Sequence, residues 1–204
     1  MWKNIARGFV DLVAPRHCPG CDVLLGEDTL SFCAACAPLL EPCEGPACFE
    51  YGGPLADAIR RLKYEARVDL VAPLAALWVP QGQDHAGHVD VVIPMPVHAR
   101  RLRKRRIDWV ALLAEPLAES LGVPLDTRRL ARIRDTQVQA SLPRAARDMN
   151  VRGAFKARRD DTHRRVLLVD DVRTTGATMR AATGALYRAG ASRVRVMALA
   201  GVLE

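Results

Sequence analysis

The sequence predicts an α/β fold, a parallel sheet with flanking helices, preceded by a small N-terminal module built on four cysteines. Three observations predict it. From residue 50 onward, apolar runs of strand length alternate with stretches of helical periodicity. Half of the residues are hydrophobic but only 5% are aromatic, so the core must be Val, Leu, Ile and Ala, as in a helix-covered parallel sheet. All six cysteines fall between Cys18 and Cys48, a compositional edge that divides the chain into a module over 1–49 and an α/β domain over 50–204. A length of 204 residues suits one such domain with an appendage.

The first element is "MWKNIARGFVDLVAP", in which Trp2, Ile5, Phe9, Leu12 and Val13 recur at helical spacing until Pro15 stops the pattern. It reads as a short amphipathic helix docked on the rest of the chain, with a membrane-surface anchor as the alternative. Asp11 interrupts it and no continuous apolar stretch follows, so a secretory signal is not expected and the expected location is the cytoplasm. No apolar run approaches the roughly 20 residues that span a bilayer.

"CPGC" (18–21) and "CAAC" (33–36) follow. Each pair can offer two thiolates through a tight turn, and two such knuckles complete a tetrahedral site. Cys18, Cys21, Cys33 and Cys36 are therefore expected to hold a structural Zn²⁺. Disulfides would need an oxidising compartment, and a redox dithiol would sit at a helix start after a strand. Cys43 and Cys48 fit the pattern less well and read as spare thiols or alternates; His17 reads as a bystander.

In the larger domain, "PLADAIRRLKY" (54–64) is helical and continues through "VDLVAPLAALWV" with a break expected at Pro73. "VDVVIPMPV" (89–97) is a buried strand, and "IDWVALLAEPLAESLG" (107–122) a helix closed by Gly122. Residues 128–150 are charged and aperiodic, a long loop or small hairpin. "RRVLLVDD" (164–171) is a second buried strand, Thr175 to Ala189 a helix stopped at Gly190, and "SRVRVMALAGV" (192–202) a third strand. Strand, helix, strand with continuous apolar strands implies right-handed crossovers.

The most informative stretch is "VLLVDDVRTTGATM" (166–179). Ligands of such sheets sit beyond the carboxyl ends of the strands, where this strand delivers Asp170 and Asp171. The chain then turns through Arg173, Thr174, Thr175 and Gly176 into a helix whose first amides are expected to be unpaired. Amides, dipole and hydroxyls make an anion cup, and Gly176 allows close backbone approach. Carboxylates repel phosphate but suit vicinal hydroxyls or Mg²⁺. A sugar phosphate satisfies both halves: phosphate in the cup, diol against the aspartates. A simple helix cap would need one such residue rather than the whole constellation.

"VLLVDDVRTTGAT" resembles the phosphoribosyl diphosphate (PRPP) signature of type I phosphoribosyltransferases. With the cysteine pairs, "YGGPLADAIRRLKY" (51–64), "IPMPVHARRLRKR" (93–105) and "TQVQASLPRAARDMNVRGAF" (136–155), the resemblance extends to the ComF/GntX family, which joins a zinc module to a phosphoribosyltransferase-like domain. Several of its members are linked to competence, the uptake of external DNA. The resemblance runs from about Cys18 to the end of the chain.

It implies that Asp170 and Asp171 act on the ribose hydroxyls and, directly or through water, on Mg²⁺ as the catalytic acids. Thr174, Thr175, Gly176, Ala177 and Thr178 would surround the 5′-phosphate. Arg100 and Arg101, after the "VVIPMP" loop, would meet pyrophosphate. A lid over 132–150 would carry Arg134, Gln139, Arg147 and Asn150. The family usually reads Arg-Gly-Phe-Asn-Gln where this chain has "RRIDW" (105–109), so Arg106, Asp108 and Trp109 replace Gly, Asn and Gln.

"RRLRKRR" (100–106) places six cations in seven residues. It reads as a solvated loop, a pyrophosphate electrode, or a sequence-insensitive contact to nucleic acid phosphates. Trp109 could stack on a base, though a tryptophan opening an apolar helix is more often half-buried. A net charge of +7 fits either anion. Two functions are therefore expected to compete. One is a Mg²⁺-dependent phosphoribosyl transfer from PRPP with release of pyrophosphate. The other is a non-catalytic competence accessory that binds single-stranded DNA or a helicase, its PRPP pocket regulatory or vestigial.

Overall fold

In the computed structural model the described residues are 16–26, 28–136, 149–159, 162 and 164–202. Among them, a sheet runs in the order β1 (Ala47–Glu50), β6 (Arg193–Gly201), β5 (Arg165–Arg173), β2 (Val91–Pro94), every pair parallel. The two longest strands are central because "VLLV" and "VMALA" bury both faces, which only an interior parallel strand needs.

The period of two along β5 sorts its side chains between two layers. Leu167 and Val169, with Met197 and Leu199 of β6, face α1 (Gly53–Tyr64), α2 (Val71–Trp78) and α4 (Trp109–Leu121) through Leu55, Ile59, Leu74, Trp78, Leu113 and Leu117. Val166 and Leu168, with Val91 and Ile93, face α5 (Ala177–Arg188) and an antiparallel hairpin of β3 (Leu130–Arg132) and β4 (Phe155–Ala157). The aperiodic stretch after residue 128 is thus a hairpin at its described ends; its middle, 137–148, lies outside the described residues, as does the expected helix near the N-terminus.

Two expectations change. The helical pattern breaks not at Pro73 but at Ala66, which adopts φ +55°. Pro73 instead occupies the first turn of α2, where no intrahelical donor is lost. The basic run is not a loop: Ala99–Arg105 forms α3, begun by His98, whose ring accepts the Arg100 amide at 3.4 Å, and ended by Arg106 at φ +62°. Arginine, lysine and leucine are good helix formers, so the run folds once capped.

The cysteine module seats on α1. Cys18, Leu25, Phe32 and Cys36 join the first core layer. A Cβ on Gly20 would lie 2.5 Å from Cβ of Pro54, so only glycine allows this approach. Arg61 donates from Nη1 to the carbonyl of Pro19 at 3.3 Å, Ser31 donates to the carbonyl of Pro73 at 2.8 Å, and Arg67 pairs with both Asp22 and Asp69. No helix of the described residues is long and apolar enough to cross a membrane.

Candidate functional site

Two sites emerge. In the first, the sulfurs of Cys18, Cys21, Cys33 and Cys36 all lie within 4.8 Å of one another, and Cys21 and Cys33 are 3.6 Å apart. Four Zn–S bonds of about 2.3 Å in a tetrahedron give edges of about 3.8 Å, so the donor set fits zinc. Burial would raise the Cys18 thiol, but amide donors from Cys33, Cys21 and Gly20 outweigh it and bring it down to about 7. One ligand is thereby prepared for deprotonation. Cys43 and Cys48 stand apart from this group: the Cys43 amide donates to the Cys48 carbonyl at 3.0 Å, and burial, then the Cys43 charge, pushes Cys48 up to about 12.

The second site lies at the carboxyl end of β5. Asp170 continues the face of Val166 and Leu168, and Asp171 that of Leu167 and Val169. The acids therefore leave the strand toward different layers, and Asp171 meets a cation there. Nζ of Lys63, in the last turn of α1, lies 2.9 Å from Oδ2 of Asp171; their side chains are 19% and 8% exposed. Asp170 accepts the Asp171 amide at 2.9 Å and feels the Arg132 guanidinium from β3. Burial, reinforced by the neighbouring Asp171 charge, raises Asp170 well above the ordinary carboxyl range.

Immediately after the acids the chain turns into α5. Gly176 sits at φ +72° and caps α5, and Oγ1 of Thr175 is buried without a hydrogen-bond partner. A Cβ on Gly176 would lie 3.2 Å from Nε of Arg173 and from Nη1 of Arg180, so the turn closes between two guanidinium groups. Arg180 also donates from Nη1 to the Thr175 carbonyl at 2.7 Å. Thr174 and Thr178 are partly exposed on either side and Ala177 is buried. A buried hydroxyl without a partner, at a helix N-terminus flanked by two arginines, is what a phosphate dianion satisfies.

The strand–proline loop after β2 is tied to the hairpin rather than open. Asp135 receives Nε of Arg101 at 3.2 Å and Nη1 of Arg100 at 3.6 Å. Arg101 also reaches the carbonyl of Thr136, and Arg132 its hydroxyl. Of the expected lid residues, Arg134 donates to the Arg152 carbonyl and Asn150 is partly buried, so the described ends of that segment meet each other. Gln139 and Arg147 lie outside the described residues. Asp108 caps α4 by accepting the Ala111 amide at 3.2 Å, and burial first, with Asp171 nearby, raises its carboxyl. Trp109 is 3% exposed in the core and offers no face for stacking.

Sequence reasoning missed Lys63, Arg132, Arg173 and Arg180. For Lys63 a signal existed: Leu55, Ile59 and Lys63 are spaced i, i+4, i+8, so the lysine lies on the buried stripe of α1. The partners of Arg132 are set by the hairpin, which local sequence does not announce.

With this geometry in hand, comparison with known proteins is direct. Residues 111–204 match the phosphoribosyl transferase domain and residues 9–66 the double zinc ribbon domain. The DNA utilization protein YhgH of Salmonella typhi is 30% identical over 192 residues, covering 91% of this chain and 84% of that protein. The chain belongs to the ComF/GntX family. Competence protein F of Haemophilus influenzae is 29% identical over 158 residues, 74% of this chain and 69% of its own. Among solved structures, glutamine phosphoribosylpyrophosphate amidotransferase from B. subtilis complexed with ADP and GMP is 26% identical, with a TM-score of 0.42 over 68% of this chain and 30% of that one. This ComF/GntX chain thus combines a zinc-ribbon cysteine cluster with a type I phosphoribosyltransferase-like domain.

Proposed function

We propose that the chain binds PRPP with Mg²⁺ across the carboxyl edge of the sheet and transfers its phosphoribosyl group. The observation that carries this reading is the acid pair Asp170–Asp171 standing directly before a turn whose Thr175 hydroxyl is buried and unpartnered. The 5′-phosphate fills the cup of Thr174 to Thr178, with Arg173 and Arg180 supplying charge. The ribose diol donates to the two carboxylates. Mg²⁺, which supplies charge neutralisation to the pyrophosphate, would enter with that group, and Asp170 and Asp171 would meet it through water. Arg100 and Arg101 reach the pyrophosphate once released from Asp135. A nitrogen nucleophile attacks the anomeric carbon, the bond to the pyrophosphate oxygen breaks, and the electron pair leaves with pyrophosphate. Positioning and electrostatics supply the catalysis.

The reading includes a division into the module over 1–49 and the domain over 50–204, and a cytoplasmic location where the thiolates stay reduced. Its test is pyrophosphate release from PRPP across a panel of nitrogen bases. Turnover that disappears in Asp171→Asn supports it; a chain that never releases pyrophosphate and never binds PRPP sinks it.

A second reading is favoured by two observations: relatives carry DNA-utilization and competence names, and α3 presents Arg100, with its side chain 77% exposed, and exposed Arg103. On this reading the chain grips single-stranded DNA or a helicase partner and the pocket is regulatory. Salt-sensitive DNA binding lost on neutralising Arg100 and Arg103, without any turnover, would select it.

A further inference from the structure

Among the described residues, Lys63 is the cation in contact with the acid pair, 2.9 Å from Asp171 on the α1 side of the sheet. Its helix is fixed at both ends of its inner stripe. Leu55 and Ile59 are buried at 1% and 0% exposure, and the zinc knuckle grips the outer side through Arg61 to the Pro19 carbonyl at 3.3 Å and Gly20 against Pro54. An ammonium so held is not a surface side chain that happened on a carboxylate. Asp108 adds a third acid near Asp171.

Resting on the PRPP reading above, we propose that Lys63 is a positioning residue, the resident cation of the diol-binding acids, so that this pocket recognises the vicinal hydroxyls of a ribose 5-phosphate without a divalent ion at the carboxylates. Two adjacent acids at one strand end with no cation near them would call for a divalent ion. Here the Lys63 ammonium touches Asp171, and its charge and that of Arg132 also act on Asp170. An ammonium donates but never accepts, so one Asp171 oxygen is engaged at 2.9 Å and the other is left to accept from a sugar hydroxyl. The metal that accompanies PRPP is then required by the pyrophosphate and not by the diol. The zinc module enters the same chain of contacts, because it sets the position of α1 and hence of Nζ.

The test is isothermal titration of the full, zinc-loaded chain with ribose 5-phosphate and with 2-deoxyribose 5-phosphate, in buffer desalted free of Mg²⁺ without chelators. Wild type is expected to prefer the ribose form by about tenfold or more, and millimolar Mg²⁺ is expected to change that preference by less than about twofold. Lys63→Gln should lose the preference without Mg²⁺ and regain part of it with Mg²⁺, while still binding inorganic phosphate in the cup. Lys63→Arg, which keeps the charge, should keep the preference. Retention of the metal-free preference in Lys63→Gln overturns the proposal while leaving the PRPP site intact. So does a wild-type preference that exists only with Mg²⁺. Wild type that binds neither sugar phosphate nor Mg²⁺–PRPP overturns both together. Should Lys63→Gln lose zinc or its circular dichroism, Lys63→Arg decides: a folded Lys63→Arg without preference refutes the role.

Discussion

The amide of Asp171 donates to Oδ1 of Asp170 at 2.9 Å, so two adjacent acids share a local contact while their side chains serve opposite layers of the sheet. Placing both at one strand end is costly, and the cost falls on Asp170. Its folded-state pKa is raised by burial and by Asp171. A raised carboxyl contributes stability below its ordinary value of 3.8, and that contribution is lost as pH rises through the raised value. Asp170→Asn is therefore expected to melt higher than wild type at pH 7, by about 2–4 °C for a gain of about 1 kcal/mol. The gap should close as pH falls below 3.8. Melts across pH by circular dichroism check both the sign and the window.

The same acids are expected to carry ligand linkage. At a PRPP concentration about 100 times Kd, binding adds about 2.7 kcal/mol, or a rise of about 5–11 °C for a chain of this size. Asp170→Asn combined with Asp171→Asn should abolish the rise. A thermal shift with Mg²⁺–PRPP measures it, and an undiminished shift in the double variant removes the acids from the site.

The four-thiolate geometry predicts about one zinc per chain by metal analysis. Cys18→Ser with Cys33→Ser should release it. Because the module packs on α1 and contributes Cys18 and Cys36 to the core, loss of the metal should also lower the melting temperature of the larger domain. Metal-free protein with an unchanged melt would contradict this coupling.

Arg106 ends α3 at φ +62°, the left-handed region in which a side chain crowds its own carbonyl. Arg106→Gly should therefore stabilise by about 1 kcal/mol despite the greater freedom of glycine in the unfolded state. Denaturant midpoints at unchanged slope measure it.

Arg165 donates from Nη2 to Oδ1 of Asp90 at 2.6 Å and from its amide to Oδ2 at 2.7 Å, joining the starts of β5 and β2. Those bonds hold the Asp90 carboxyl down at about 2. A lowered carboxyl contributes stability above 3.8 that is lost as pH falls toward 2. Asp90→Asn should melt about 1–2 °C lower at pH 7, a small effect because the pair is exposed. The difference should vanish over that acid window.

Much of this fold was legible because its signals are local. "VLLV" and "VMALA" could only be interior parallel strands, Gly122 closes α4 at φ +66° where a glycine was expected, and "DDVRTTGAT" places acids and cup within one turn of chain. The break assigned to Pro73 was misplaced because proline in a first helical turn costs nothing, while the left-handed Ala66 carries no compositional mark.

What the amino-acid order determined by itself was therefore strands β2, β5 and β6, helices α1, α4 and α5, the cysteine quartet and the acid–hydroxyl turn, since each depends on residues a few positions apart. Only the tertiary structure decided which charges face the acids. Lys63 is separated from Asp171 by more than half the chain and the charge of Arg132 acts on Asp170 from a hairpin, so both effects depend on how layers pack on the two faces of one strand, and no local pattern encodes that.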